Sequence, residues 1–224
     1  MKFSPYAWAK LMYMRDRGEC EVGGFGITRA DDFLFIEDFV IVKQEVSAVS
    51  VLFNDAAVAD FFDNQTFEGR KPAQFARTWI HTHPGNSAAP SSVDEETFAR
   101  VFGNCDFSIM FILARGGQYY ARLSFGGQTP GWLDIPVEVD FTQRFPASDH
   151  ELWAEEYDTN VTECKITSIF DSWPADAFLT HSAEELDDFL EVNAGYTRDE
   201  LVAMPASEKK RLADEFEREV YQYE

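Results

Sequence analysis

Apolar positions along the chain change period repeatedly, and each change marks an element. Ala7, Trp8, Leu11 and Met12 recur at helical spacing behind Ser4-Pro5, a capping residue followed by the residue best suited to a first helical position, and Gly18 should end that helix. Cys20–Ile27 (CEVGGFGI) then reads as a strand whose paired glycines predict a bulge or the close approach of another backbone. Phe33–Val42 and Val46–Phe53, rich in β-branched and aromatic residues, predict two further strands. Asn54-Asp55 can cap a helix through about Phe67 with Val58, Phe61 and Phe62 on its apolar side, and Arg77–His83 predicts a short strand. Ser92-Val93-Asp94-Glu95 has the spacing of a capping box and opens a helix that should bury Phe98, Val101 and Phe102. Phe107–Ala114 and Gln118–Phe125 predict two strands joined by a turn at Gly116-Gly117.

Strands and helices are thus interleaved, while most neighbouring strands lie close enough for hairpins. This predicts an α/β (α+β) layered domain with a largely antiparallel or mixed sheet. The Gly/Pro-rich joint Gly126-Gly127-Gln128-Thr129-Pro130-Gly131 sets its expected end, giving a first unit over residues 1–127 and an extension over 128–224. In the extension, Leu133–Phe141 predicts one strand, and Ser148 or Asp149 caps a helix to about Val161. Ser182–Glu185 and Thr197–Glu200 have capping-box spacing, and a last helix from Ser207 would carry Leu212, Phe216 and Val220. The extension is therefore expected to be mainly helical. A partner or a second copy could dock on those helices.

Composition narrows the function. Of 224 residues 45% are apolar and 15% aromatic, which predicts a true core. The apolar runs are far shorter than the ~20 residues a spanning helix needs, and the N-terminus is soon broken by Lys10, Arg15 and Asp16, unlike a signal peptide. A cytoplasmic protein is expected. With 40 acidic and 19 basic residues the net charge is −21, which argues against nucleic-acid binding and against anionic membranes. Two readings of the charge stand, steering of a basic partner or general solvation of the surface. The acidic residues are spread along the chain and only seven of the 19 cations are Lys, a skew shared with salt-adapted proteins, which favours the second. Cys20, Cys105 and Cys164 are odd in number and far apart, which argues against a disulfide framework or a cysteine-built zinc site.

The candidate chemistry lies in HTHPGNSAAPSSVD, residues 81–94. Side chains two apart on a strand share a face, so His81 and His83 project together as a natural pair of metal ligands. Asp94, 11 residues beyond His83, sits in the first turn of the predicted helix, where the loop can fold it back as a third ligand. Two neutral imidazoles and one carboxylate leave a divalent metal with a net charge of about +1, which lowers the pKa of a bound water toward ~7. A hydrolase also needs a carboxylate near the metal but not on it. Glu21 in the early strand is the candidate, and Glu19, in the turn after Gly18, is the substitute.

These elements resemble the signature of the JAMM (MPN+) metalloprotease family: an early-strand Glu, then His-x-His, seven residues, Ser, two residues, Asp. Here it reads Glu21, His81-Thr82-His83, seven residues, Ser91, Ser92-Val93, Asp94, with Pro84 and Pro90 also as in family members. The likeness covers roughly residues 5–125 and is that of a simple, prokaryote-like member. It implies a cytidine-deaminase-like layered fold with a mixed sheet wrapped by helices. It also implies Zn²⁺ on His81, His83 and Asp94. Glu21 would then move the proton from water to the leaving amine, and Ser91 would donate a hydrogen bond to the oxyanion. The implied reaction is hydrolysis of the peptide or isopeptide bond after the C-terminal glycine of ubiquitin or a ubiquitin-like protein, whose extended tail adds a strand to a sheet edge. Two alternatives stand beside it. Some relatives release an amino acid such as cysteine from a sulfur-carrier protein of ubiquitin-like fold, and others are non-catalytic scaffolds, which typically lack a ligand or the base.

Overall fold

A computed structural model of the chain describes residues 1–163 together with Leu201, Met204, Pro205 and Lys209. The elements expected from Ser182, Thr197 and Ser207 onward lie outside the described residues.

The chain opens with β1 (Lys2–Phe3) and α1 (Pro5–Arg17), capped by the Ser4 hydroxyl, which accepts the Ala7 N–H at 3.0 Å. β2 (Gly23–Thr28), β3 (Phe35–Ile41) and the hairpin of β4 (Gln44–Ser47) and β5 (Ser50–Phe53) come next. Then come α2 (Asp55–Phe67), α3 (Pro72–Phe75), β6 (Thr78–His83), α4 (Ser92–Phe102), β7 (Phe107–Ala114) and β8 (Tyr119–Phe125). β9 (Gly131–Asp134), β10 (Glu138–Val139), α5 (His150–Asn160) and β11 (Val161–Glu163) complete the described elements.

Eight strands form one mixed sheet in the order β10-β1-β3-β2-β6-β7-β8-β9, and β11-β4-β5 form a second, smaller one. β6 lies near the middle of the large sheet, antiparallel to β2 and parallel to β7. Strand alternation then divides the core in two. Leu11 and Met14 of α1 and Trp153 of α5 pack with Ile80, Phe111 and Leu113 on one face. Phe61 of α2, Phe75 of α3, and Phe98 and Phe102 of α4 pack with Phe25, Trp79, Met110 and Ile112 on the other. Because Trp79 faces the α4 layer and Ile80 the α1 layer, His81 and His83 must face the α4 layer. The architecture is therefore mixed α/β, with helices on both sides of a mixed sheet.

Several expected elements are corrected. β2 starts at Gly23, so Cys20, Glu21 and Val22 precede the strand. Val46–Phe53 is not one strand: a turn at Ser47–Ser50, with the Val49 N–H on Ser47 Oγ at 3.2 Å and the two serine hydroxyls 2.8 Å apart, breaks it into a hairpin. The capping box is Ser91 with Asp94 rather than Ser92 with Glu95, because Ser91 holds the extended conformation (φ −76°, ψ 170°) a cap requires. Val101 is 52% exposed, while Phe98 and Phe102 are buried. Leu133–Phe141 divides at Pro136, which has no N–H to give a ladder, into β9 and β10. The expected division at residue 127 falls inside the large sheet. β9 extends it beside β8, and β10 closes its opposite edge beside β1. α5 inserts Trp153, fully buried, into the α1-side core.

Candidate metal centre

His81 and His83 stand at the end of β6 on one face, fully buried, as the two-residue period requires. α4 starts beneath them. Ser91 caps it by accepting the Asp94 N–H at 3.2 Å, and Asp94 reciprocates by accepting the Ser91 N–H at 2.8 Å and the Ser91 O–H at 2.9 Å, both on Oδ2. The reciprocal cap fixes the Asp94 rotamer, leaving Oδ1 turned to His81. One donor atom each from His81, His83 and Asp94 lie within 4.8 Å of one another.

The contacts inside this group are those of atoms aimed at a common point. His81 Nε2 lies 3.1 Å from Asp94 Oδ1 and His83 Nε2 lies 3.5 Å from Asp94 Oδ2. Both Nε2 atoms, and Nδ1 of His81, are nonetheless buried with no hydrogen-bond partner among the described residues. Burial without a partner is costly for an imidazole nitrogen, and a metal ion resolves that cost. His83 Nδ1 is 3.0 Å from the Ser87 carbonyl, so it donates its proton there and keeps the Nε2 lone pair free. His81 is held by stacking on Trp79 with ring centroids 4.3 Å apart. The electrostatics agree. Burial pushes His81 below its ordinary value, toward the neutral form that can ligate. Burial alone would raise Asp94, but the facing imidazoles hold it well below the ordinary carboxylate range. The residues present fit a divalent metal.

Glu21 is brought to the same place. The register pairs Gly23 with His81, so Val22 stands opposite Thr82 and Glu21 opposite His83, on the same face. Its Oε1 is 3.7 Å from His83 Nε2, and the residue is only 3% exposed. Burial first, and the charge of Asp94 second, raise its carboxyl well above the ordinary range. Glu19 is exposed and 2.5 Å from an Arg115 nitrogen, away from the group.

Three further residues shape the site without a signal in the motif. Arg122 on β8, 7% exposed, meets both carboxylate oxygens of Glu95 at 2.6 and 2.7 Å and so fastens the first turn of α4 beside Asp94. Gln44 on β4 bonds to both the N–H and the carbonyl of Gly23, at 2.9 and 2.8 Å. The Thr82 hydroxyl takes the Val22 N–H at 3.0 Å. Sequence spacing could not find these, because each reaches a partner on a different element far away in sequence. His150, far from the centre, is exposed and stacked on Tyr13.

No family model matches the chain, and no curated protein matches it. No helix among the described residues is long and apolar enough to cross a membrane.

Proposed function

We propose that this chain is a zinc-dependent metallohydrolase of the JAMM type, cleaving the peptide or isopeptide bond after the C-terminal glycine of a ubiquitin-like protein. The observation that carries the reading is the buried carboxylate of Glu21 facing a His81–His83–Asp94 donor set without completing it. Two imidazoles and one carboxylate suit zinc in an open site, where a fourth position is left for chemistry. Zinc there supplies the Lewis acidity that makes water a nucleophile near neutral pH. The mixed sheet with helices on both faces agrees with the fold the resemblance implies.

The chain's own residues supply the rest. Glu21 takes the proton of the attacking water and returns it to the leaving amine nitrogen, and its raised pKa suits a group that must both accept and donate. Ser91, whose hydroxyl donates to Asp94, keeps that carboxylate in its ligating rotamer; to serve the oxyanion its proton must turn away from Oδ2. A Cβ built at Gly23, opposite His81, would meet Val51 Cγ1 at 2.9 Å and Phe53 Cζ at 3.1 Å, so β5 packs down beside the metal set. Among the described residues β5 is also an edge strand of the small sheet. A narrow apolar wall next to a free strand edge favours an extended peptide of small residues.

Amino-acid release from a sulfur-carrier protein is the second reading. α4 leads into β7 through only residues 103–106, so no insertion there shapes a site for a large leaving group. The test is elemental analysis of wild type and His83→Ala, with cleavage of a ubiquitin-like C-terminal amide. Near-stoichiometric zinc and turnover, both lost in the variant, support the proposal. Absence of zinc from chelator-free wild type would sink it and favour a scaffold.

A further inference from the structure

The ladder between β2 and β6 ends in an unusual exchange. Val22 and Thr82 are opposite one another, and in a regular antiparallel pair of this kind each N–H meets the other's carbonyl. Half of that exchange is present, since the Thr82 N–H donates to the Val22 carbonyl at 2.9 Å. The other half is not made by backbone. The Val22 N–H donates instead to Thr82 Oγ1 at 3.0 Å. A side-chain hydroxyl thus stands in the ladder where a carbonyl belongs. One residue earlier the Glu21 N–H points to the other side of the strand, as antiparallel alternation requires, and donates to the Ser47 carbonyl of β4 at 2.8 Å. Both partners are deep in the core, Val22 at 0% and Thr82 at 1% exposure, so no water can replace this bond at low cost.

The consequence falls on the Glu21 carboxylate, which is carried by the residue next to Val22. Resting on the hydrolase reading above, we propose that Thr82 is a positioning residue: its hydroxyl, standing where a ladder carbonyl belongs, fixes Val22 against β6 and so holds the Glu21 carboxylate at a stand-off from His83 that leaves room for the attacking water. Thr82 touches neither metal nor substrate. It acts through Val22, on the face of the sheet opposite the histidines.

The test uses the full-length zinc-loaded protein and Thr82→Val, which keeps the shape and removes the hydroxyl, with Thr82→Ser as the conservative variant. Zinc content and affinity should stay within about threefold of wild type, because all three ligands remain. The Val22 amide should exchange with solvent about tenfold faster or more, as expected for a buried hydrogen bond lost. Turnover of the ubiquitin-like amide should fall about 10- to 100-fold in kcat with KM unchanged, the size expected of a misplacement near 1 Å. Thr82→Ser should restore both amide protection and kcat. If Thr82→Val fails to fold, Thr82→Ala, which removes the hydroxyl without adding bulk, carries the same prediction. Unchanged kcat with a faster-exchanging Val22 amide overturns the inference, as does loss of kcat in parallel with loss of zinc. A wild-type protein that binds zinc but cleaves no such amide removes the parent reading and this inference with it, whereas an active wild type with an equally active Thr82→Val removes the inference alone.

Discussion

At the residue scale the centre is a contest between burial and charge. Asp94 is held by three bonds to one residue, since Ser91 gives it two and takes one. Ser91→Ala removes the two bonds of that set that use the hydroxyl and frees the carboxylate to rotate. Zinc affinity should drop about 10- to 100-fold, as for other groups that orient a ligand, and competition with a chromophoric chelator measures it. Glu21 gives a pH signature in the metal-free protein. Its folded pKa is raised by burial and by Asp94, so the folded chain retains this proton where the unfolded chain has lost it. Stability from this group is therefore full below the ordinary glutamate value of 4.5 and declines as pH rises through the raised value. Asp94, with a lowered pKa, acts in the opposite sense and loses its contribution on acidification below 3.8. His81, lowered by burial, gains stability as pH rises toward 6.5 in wild type and variant alike, so Glu21 is read as a difference. With chelator present, the denaturant midpoint of wild type relative to Glu21→Gln should fall from about pH 5 to pH 8; a constant difference would contradict it. The residues of this centre were legible because a period of two places His81 and His83 together without any tertiary knowledge. Strand context prefers Glu21 to Glu19, yet the strand in fact begins two residues later, at Gly23; Glu21 lies beside His83, and Glu19 beside Arg115. The bond between Ser91 and Asp94 was not legible, since Ser92-Val93-Asp94-Glu95 also fits a box one residue later.

At the element scale, that one-residue ambiguity recurs wherever serines or turn-formers adjoin. Ser91-Ser92 offers two caps, and the choice is made by tertiary structure: only a helix beginning after Ser91 can bury Asp94 under the histidines and send Glu95 to Arg122. Likewise the β-rich run through Val46–Phe53 conceals a hairpin, because its turn is built from hydroxyl bonds rather than from glycine or proline. Arg122 is the cross-brace of α4. Its guanidinium sits over Phe98 at 5.2 Å and Trp132 at 5.8 Å while pairing with Glu95. Arg122→Met keeps the packing stem but removes the pair. Glu95 is 46% exposed on its side chain and can turn to water, so the cost should be about 2 kcal/mol, below the 3–5 typical of a fully buried pair. Chemical denaturation of the zinc-free protein measures this. A loss under about 0.5 kcal/mol would show the brace to be ornamental.

At the scale of the whole molecule, glycine and proline around residue 130 suggested a boundary, whereas the chain only turns there. Local composition cannot distinguish a linker from a tight connection, because both need the same residues. The segment after the joint completes the one before it: β9 and β10 flank the large sheet, and β11 pairs with β4 beside the hairpin that meets Glu21. α5 is pinned by Trp153, whose indole donates to Tyr6 Oη at 3.0 Å, and by Glu156 on Lys10 at 2.7 Å. Trp153→Ala should therefore cost about 3–5 kcal/mol, as for a buried aromatic in any core, and calorimetry should show one transition shifting as a unit. Two separable transitions would restore the idea of an independent unit over residues 1–127.

The return of β10 to β1 and of β11 to β4 also sets an order of events during synthesis. All five residues of the centre, Glu21 to Asp94, leave the ribosome well before residue 163. The strand that closes the edge at β1 and the one that braces the hairpin come last among the described elements. Pairings this distant in sequence form slowly, since the loop must close before any contact is gained. The nascent chain thus carries two histidines and two carboxylates before the last strands around them have been made. A metal held by this donor set would need β2, β6 and α4 brought together first, while the described frame around them is complete only once residue 163 has been made.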